Sequence, residues 1–311
     1  MISRRAQFLA GSAGALLAAR RAGAQTTFPT FRLGVATVGV YVQAMLANET
    51  GLFKKAGLDV QLQDVNNSGA SMAAVVGGAM DVSIGTPLIV ANAVIKAVPL
   101  VMVAGGAVNT QLSGGALMVP VNSPLKTAQD LRGKTVGISA LKQISELGLD
   151  MWLEKNGVHP EEVKVTEVVM TTMHAALERG TVDAALIGTP MFYSGLKTKT
   201  TRILADTLFA IAPRYLSGAW FSTRSFATSN PEAMKRFAAA IHEAGKWATS
   251  HWSEALPLIA KYTKSNLDDL RDAPPTNFAD GLKQSEVMPL IEAAAKFGYL
   301  PRVVPFRELV V

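Results

Sequence analysis

Thr86 and Thr189 each follow a glycine and precede a proline, and the phrases that lead into them match. Ala73-Ala74-Val75-Val76-Gly77-Gly78-Ala79-Met80-Asp81 runs through Val82-Ser83-Ile84 into Gly85-Thr86-Pro87. Further on, Ala175-Ala176-Leu177-Glu178-Arg179-Gly180-Thr181-Val182-Asp183 runs through Ala184-Ala185-Leu186-Ile187 into Gly188-Thr189-Pro190. A threonine at such a turn can donate and accept hydrogen bonds, and the glycine before it lets backbone approach a small molecule. Six further positions have the same character: Tyr41, Asn67, Ser71, Ser139, Lys142 and Thr172, the last preceded by Thr171. Three hydroxyls, a phenol, an amide and a single base suit reversible capture of a solute rather than bond making.

The groups that covalent or metal chemistry needs are missing or scattered. There is no cysteine, hence no disulfide, thiolate zinc site or catalytic thiol. His159 precedes Pro160 in a turn, and His174, His242 and His251 lack ligand-like spacing. Gly105-Gly106 and Gly114-Gly115 are isolated pairs, so no P-loop, nucleophile elbow or dinucleotide fingerprint is present. Asp81 and Asp183 stand at strand starts, the wrong end of a sheet for a site.

Each repeated phrase reads as a helix end, a glycine stop, a short apolar strand and a turn at the strand's C-terminal end. Ligands of α/β sheets collect at those ends. Two copies imply two similar lobes offering loops to a shared cleft, although the copies differ by one residue between Asp and Gly. Strands are expected at 31–37, 58–64, 81–84, 100–104, 116–121, 135–138, 163–168, 184–187 and 219–223. Helices are expected at 41–50, 71–77, 88–96, 144–156, 173–179 and, after Asn230 as a cap with Pro231 at its first turn, 231–250. Helices at 253–262, 265–271 and 278–296 complete the chain and are expected to pack back on the first lobe.

Most candidate hydroxyls have two readings: helix N-caps, or caps that also meet a ligand. Helix N-termini attract anions without a cationic side chain. Pro87 and Pro190 have a plainer reading as helix starts. Lys142 is either an anion partner or a solvated loop lysine. Phe192, Tyr193 and Trp220 are aromatic near the cleft elements, and Trp220 fits a core position equally well.

The first residues read as an export signal. Arg4-Arg5 precedes the apolar stretch Phe8 to Ala19, and Ala22-Gly23-Ala24 supplies a cleavage site after Ala24. Ser3-Arg4-Arg5 with Phe8-Leu9 is similar to a twin-arginine signal, with one residue more than usual before Phe8. The apolar stretch is too short for a bilayer of roughly 30 Å. Four arginines and no acid lie in residues 1–24, so the formal charge of +6 falls to +2 after cleavage. That is too small to argue for nucleic acid or an anionic membrane. Without an N-terminal cysteine the mature chain carries no lipid, which points to a free periplasmic protein. Pro87 to Val108 is apolar enough to suggest a span, but Asn92, Lys96 and Pro99 divide it into a helix and a strand.

Several segments resemble one group, the solute-binding proteins of bacterial ABC importers for nitrate, sulfonates, taurine and thiamine-type pyrimidines. Glu49-Thr50-Gly51-Leu52-Phe53-Lys54-Lys55-Ala56-Gly57-Leu58-Asp59-Val60 is similar to its first-lobe signature. Asp130-Leu131-Arg132-Gly133-Lys134-Thr135-Val136-Gly137 is similar to the opening of its second lobe, and Ser229-Asn230-Pro231-Glu232 to its return helix. The resemblance implies a type II periplasmic-binding-protein fold, with two α/β lobes, two crossing segments and a central cleft. On this basis residues 25–119 and 221–311 form one lobe and 120–220 the other, with crossings near Val119 and Phe221. It further implies a monomer that captures a small polar or mono-anionic organic solute without a cofactor and hands it to an ABC permease. An enzyme on the same fold and a periplasmic sensor input are the alternatives; enzymatic relatives use histidine and a cysteine-rich segment that this chain lacks.

Overall fold

The computed structural model describes residues 30–36, 41–65, 68–189, 191–271 and 275–311, and the structural statements that follow concern those residues. The first stretch runs β1 (Phe31–Val35), α1 (Gln43–Glu49), α2 (Leu52–Lys55), β2 (Val60–Asp64), α3 (Ser68–Val76), β3 (Val82–Gly85), α4 (Pro87–Ile95) and β4 (Leu100–Gly105). Then come β5 (Val108–Asn109), β6 (Gly115–Pro120), β7 (Thr135–Ile138), α5 (Ile144–Lys155), β8 (Lys164–Glu167), α6 (Met173–Glu178), β9 (Ala184–Gly188), α7 (Met191–Lys197) and β10 (Thr201–Ala205). The chain ends with β11 (Tyr215–Leu216), β12 (Ala219–Thr223), α8 (Arg224–Ser229), α9 (Pro231–Ser250), α10 (Trp252–Thr263), α11 (Leu267–Arg271), α12 (Gln284–Lys296) and α13 (Phe306–Leu309).

Two five-stranded sheets share one plan. The first has the order β2-β1-β3-β12-β4, and the second, taken from its other edge, β8-β7-β9-β6-β10. In each, a parallel trio carries the repeated strand, β3 or β9, in third place. An antiparallel strand fills fourth place: β12 between β3 and β4, β6 between β9 and β10. That fourth strand is the one the chain forms on arriving from the other sheet.

The passages between sheets correct the expected crossings. β6 already pairs with β9 at Gly115, and β12 with β3 at Ala219. The chain therefore crosses at 106–114 and 206–218, a few residues ahead of Val119 and Phe221. Where the passages meet they pair as a ribbon, with β5 opposite β11, and the Gly106 N–H donates to the Gly218 carbonyl at 2.8 Å. A third segment lies against this ribbon where a helix from Phe278 was expected. The Val108 N–H donates to the Asn277 carbonyl at 2.8 Å, and the Ala279 N–H to the Gly106 carbonyl at 2.7 Å. These pairings hold the backbone around 277–279 extended, and α12 starts only at Gln284.

Both faces of the first sheet are covered. Trp220 points into one core with Phe31, Met45, Phe53, Phe237 and Ile241, which joins α1, α9 and α10. Its neighbours Ala219 and Phe221 point into the other, with Leu88, Val90, Leu290 and Leu309 from α4, α12 and α13. The alternation is what a strand buried on both faces requires. α9 presents Ala233, Met234, Phe237, Ala240, Ile241, Ala244 and Ala248 inward at helical spacing. Asn230 does not cap it; its amide instead donates to the Phe226 carbonyl at 2.9 Å. The second sheet has its own cores, one under α5 with Leu131, Val136 and Leu149, the other under α6 and α7 with Met173, Leu177 and Phe192. No helix among the described residues is long and apolar enough to cross a membrane, and 87–105 divides into α4 and β4. The export-signal residues lie outside the described residues.

Candidate functional site

The two strand-end turns are held in different ways. Thr86, extended at the end of β3, accepts the Ile89 N–H on Oγ1 at 3.3 Å and so caps α4, with Pro87 in the first turn. Among the described residues its hydroxyl proton has no acceptor. Thr189 is held differently: its N–H donates to the Gly114 carbonyl and its hydroxyl to the Ser113 carbonyl, both at 3.3 Å. The second repeated turn is thus fastened to the first crossing. Tyr41, just before α1, packs its ring against Gly218 on the second crossing, and burial pushes its phenol up to about 12. Two of the residues singled out in the sequence therefore meet the connection between the sheets, one from each side.

The other candidates divide. Ser71 is fully buried with its hydroxyl unpaired among the described residues. Thr171 and Ser139 are exposed, and exposed Thr172 donates to the Val169 carbonyl at 2.9 Å without capping α6. Asn67 lies outside the described residues. Trp220 is core: it is 0% exposed and meets Phe237 edge-on at a ring separation of 5.7 Å. Phe192 is likewise buried, with Tyr193 at 4.0 Å.

The Lys142 side chain is largely exposed. Its ammonium lies 3.8 Å from the Glu146 carboxylate and 4.9 Å from the centre of the Tyr299 ring. The loop around it, between β7 and α5, already holds two carboxylates. Glu146, buried in the first turn of α5, accepts the Lys142 N–H, and Glu167 accepts the Leu141 N–H at 2.8 Å. Two of the loop's backbone donors are thus taken by carboxylates.

Sequence reading missed two residues of the ribbon. Asn109 and Tyr215 face each other across the ribbon. Both are buried, at 2% and 0% exposure, and neither the Asn109 carboxamide nor the Tyr215 hydroxyl has a hydrogen-bond partner among the described residues. The Asn109 Oδ1 lies over Gly114, whose carbonyl holds Thr189. Burial, with Asp206 and Tyr41 nearby, raises the Tyr215 phenol well above its usual value. Asp206 is itself raised by burial, although it accepts the Leu112 N–H at 2.5 Å and the Phe209 N–H at 3.1 Å. The one available signal was an asparagine placed just after the apolar run that ends in Gly105-Gly106.

Among the described residues no three His, Asp or Glu side chains are grouped to hold a metal. A shallow pocket of about 370 Å³ opens at the opposite end of the first sheet, lined by Arg32, Asp81, Thr223 and Asn230 among others. Its charged groups are spent on each other: Arg32 reaches Asp81 at 2.6 Å. It is a strand-start feature, remote from the repeated turns.

Comparison with known proteins agrees with this architecture. The periplasmic aliphatic sulphonate binding protein of Escherichia coli superposes with a TM-score of 0.76, at 19% identity, over 91% of this chain and 92% of that one. A desulfurization enzyme also shares the fold, with a TM-score of 0.69 at 16% identity over 91% of this chain and 96% of that one. The fold is that of the periplasmic binding proteins. A Brucella abortus protein provisionally named a binding protein is 25% identical over 231 residues, which span 70% of this chain and 66% of that protein, just under two thirds of its length. The family model described as NMT1/THI5 like matches residues 39–255, well over half of the sequence, and the chain belongs to that family.

Proposed function

We propose that this protein is the periplasmic solute-binding component of an ABC importer, closing two lobes over a small polar organic molecule. One observation carries the reading: two sheets of the same plan are joined by two paired crossing segments, and the repeated turn at Thr189 is fastened to the first of them. Rotation about such a connection opens and closes a cleft without disturbing either sheet. The family membership and the binding-protein fold support the same reading. So does the side-chain chemistry, because hydroxyls, a phenol and amides suit capture and release. On this reading the signal-like first residues direct export, and the protein works in the periplasm as a monomer that delivers its solute to a membrane permease.

Closure by ligand is a population shift, so the closed form must hold the solute far more tightly than the open form. Native mass spectrometry of protein isolated from periplasm is expected to show a bound small molecule that unfolding releases. Small-angle scattering is expected to show contraction when that molecule is restored. A chain that never carries a solute, and whose dimensions do not respond to periplasmic extract, would rule the reading out.

A further inference from the structure

We propose that the captured solute is uncharged at the end that enters the cleft, and that Asn109 and Tyr215 read it through an amide-like edge. This rests on the solute-binding reading above and narrows its ligand class.

The first support is unused hydrogen-bonding capacity. Buried amides are almost always paired, because an unpaired one costs about 1–3 kcal/mol. Here both polar atoms of the Asn109 carboxamide and the Tyr215 hydroxyl, paired across one ribbon, lack partners among the described residues. Asn109 offers one donor and one acceptor side by side, the complement of a group that also carries both. A primary carboxamide or a ureide has that edge. A carboxylate or sulfonate, which only accepts, would leave Oδ1 facing another acceptor.

The second support is the charge around the connection. Asp206 lies next to the ribbon, and in the loop after β7 Glu167 accepts the Leu141 N–H and Glu146 the Lys142 N–H. The strand-end segments 36–41, 65–71, 85–87, 168–172 and 188–190 contain no lysine or arginine, and 139–145 contains only Lys142, which Glu146 engages. Arg214, next to Tyr215 in sequence, is turned to Glu286 at 2.8 Å. An anion brought here would lose its hydration and meet carboxylates in place of cations, a large penalty.

The test uses matched probes on two skeletons: propionamide, propionate and ethanesulfonate, and benzamide, benzoate and benzenesulfonate. Each is added to the exported protein at about 10 mM, where even a millimolar site fills. An amide member is expected to raise the melting temperature more than its acid or sulfonate. Asn109→Leu is expected to weaken that amide at least about tenfold and Tyr215→Phe about threefold to tenfold. Both ligand-free variants should melt at or above the parent, since each loses an unpaired buried polar group. A ligand-free Asn109→Leu protein that melts several degrees lower would show that the amide supports the fold instead. Tighter binding of an acid or sulfonate, or no response to any probe, would overturn the inference. So would a sulfonate or carboxylate found by native mass spectrometry, a result that leaves solute capture standing.

Discussion

Asp81 and Asp183 hold the same place in the two sheets. Asp81 accepts the backbone N–H of Arg32, and Asp183 that of Thr135, each at 2.8 Å. The main chain reciprocates: the Asp81 N–H donates to the Arg32 carbonyl at 2.9 Å and the Asp183 N–H to the Thr135 carbonyl at 2.8 Å. Each aspartate thus begins a repeated strand by clasping the start of the parallel neighbour, which sets the register of β3 on β1 and of β9 on β7. The pairs differ in one respect. Arg32 adds contacts to both Asp81 oxygens, at 2.6 and 3.1 Å, whereas Lys134 stays 3.7 Å from Asp183.

Replacing Asp81 by Ala should therefore cost more than replacing Asp183. Loss of the charge-assisted bonds at Asp81 is expected to remove about 2–3 kcal/mol, and loss at Asp183 about 1 kcal/mol. Urea unfolding of both variants checks this. Equal losses would mean that the guanidinium adds nothing to the backbone clasp. Solute affinity should be unchanged in both, since neither aspartate lies at a strand C-terminal end.

Thr86→Val removes the α4 cap as well as a hydroxyl donor. Stability is expected to fall by about 0.5–2 kcal/mol. Thr86→Ser keeps the cap oxygen and should restore stability. Thermal melts of the ligand-free proteins separate this from binding: a solute contact at Thr86 predicts weaker affinity in the valine variant and near-parental affinity in the serine variant.

Gly105 has no room for a side chain. A Cβ there would lie 2.5 Å from the Gly281 carbonyl oxygen and 2.6 Å from the Ala279 Cβ, and the crowded atoms include backbone. Gly105→Ala is expected to destabilise by about 1–3 kcal/mol by pushing the 277–281 segment off the ribbon. Hydrogen exchange should then show faster opening at Val108 and Ala279, whose N–H groups bond across that contact. Parental exchange at both amides would show that the segment tolerates the shift.

Asp150 ties the second unit to the first. Its carboxylate accepts the Tyr299 hydroxyl at 2.5 Å, yet burial, with help from Glu146, keeps its pKa above the ordinary carboxylate value. A carboxyl whose folded pKa is raised stabilises the fold most when protonated, below its unfolded value near 4. That contribution is lost as pH rises through the folded value. Asp150→Asn mimics the protonated form and still accepts from Tyr299. Its melting temperature relative to the parent should therefore climb as pH rises from about 4 through the raised folded value. A constant difference across that range would show that Asp150 titrates normally.

Most of the sheet plan was legible in the sequence, because glycine stops and short apolar runs are local signals. β7 at 135–138, β12 at 219–223 and α9 at 231–250 match their expected ranges. What escaped was non-local. The segment around Phe278 has a helical apolar pattern, but its ladder partners lie at Gly106 and Val108. β10 was not expected at all, since Thr201–Ala205 acquires its strand character from pairing with β6 at the sheet edge. At the candidate site, the hydroxyls at Thr86 and Thr189 were visible from the repeat. Their hydrogen-bond partners were not, nor were the carboxylates that fill the loop around Lys142, because Glu167 reaches Leu141 from a neighbouring strand.

The exchanged fourth strands have a further consequence for the order in which the chain acquires its structure. All five strands of the second sheet fall between Gly115 and Ala205, so that sheet can assemble from one continuous stretch. The first sheet cannot. Its β3 and β4 edges stay unpaired until β12 arrives from beyond the whole second unit. Closing so long a loop is slow, and exposed edges invite association with other chains in the interval. The second unit is thus expected to fold first and to carry β12 back to its slot, so a chain truncated before Ala219 would leave an open, sticky half-sheet beside a finished neighbour.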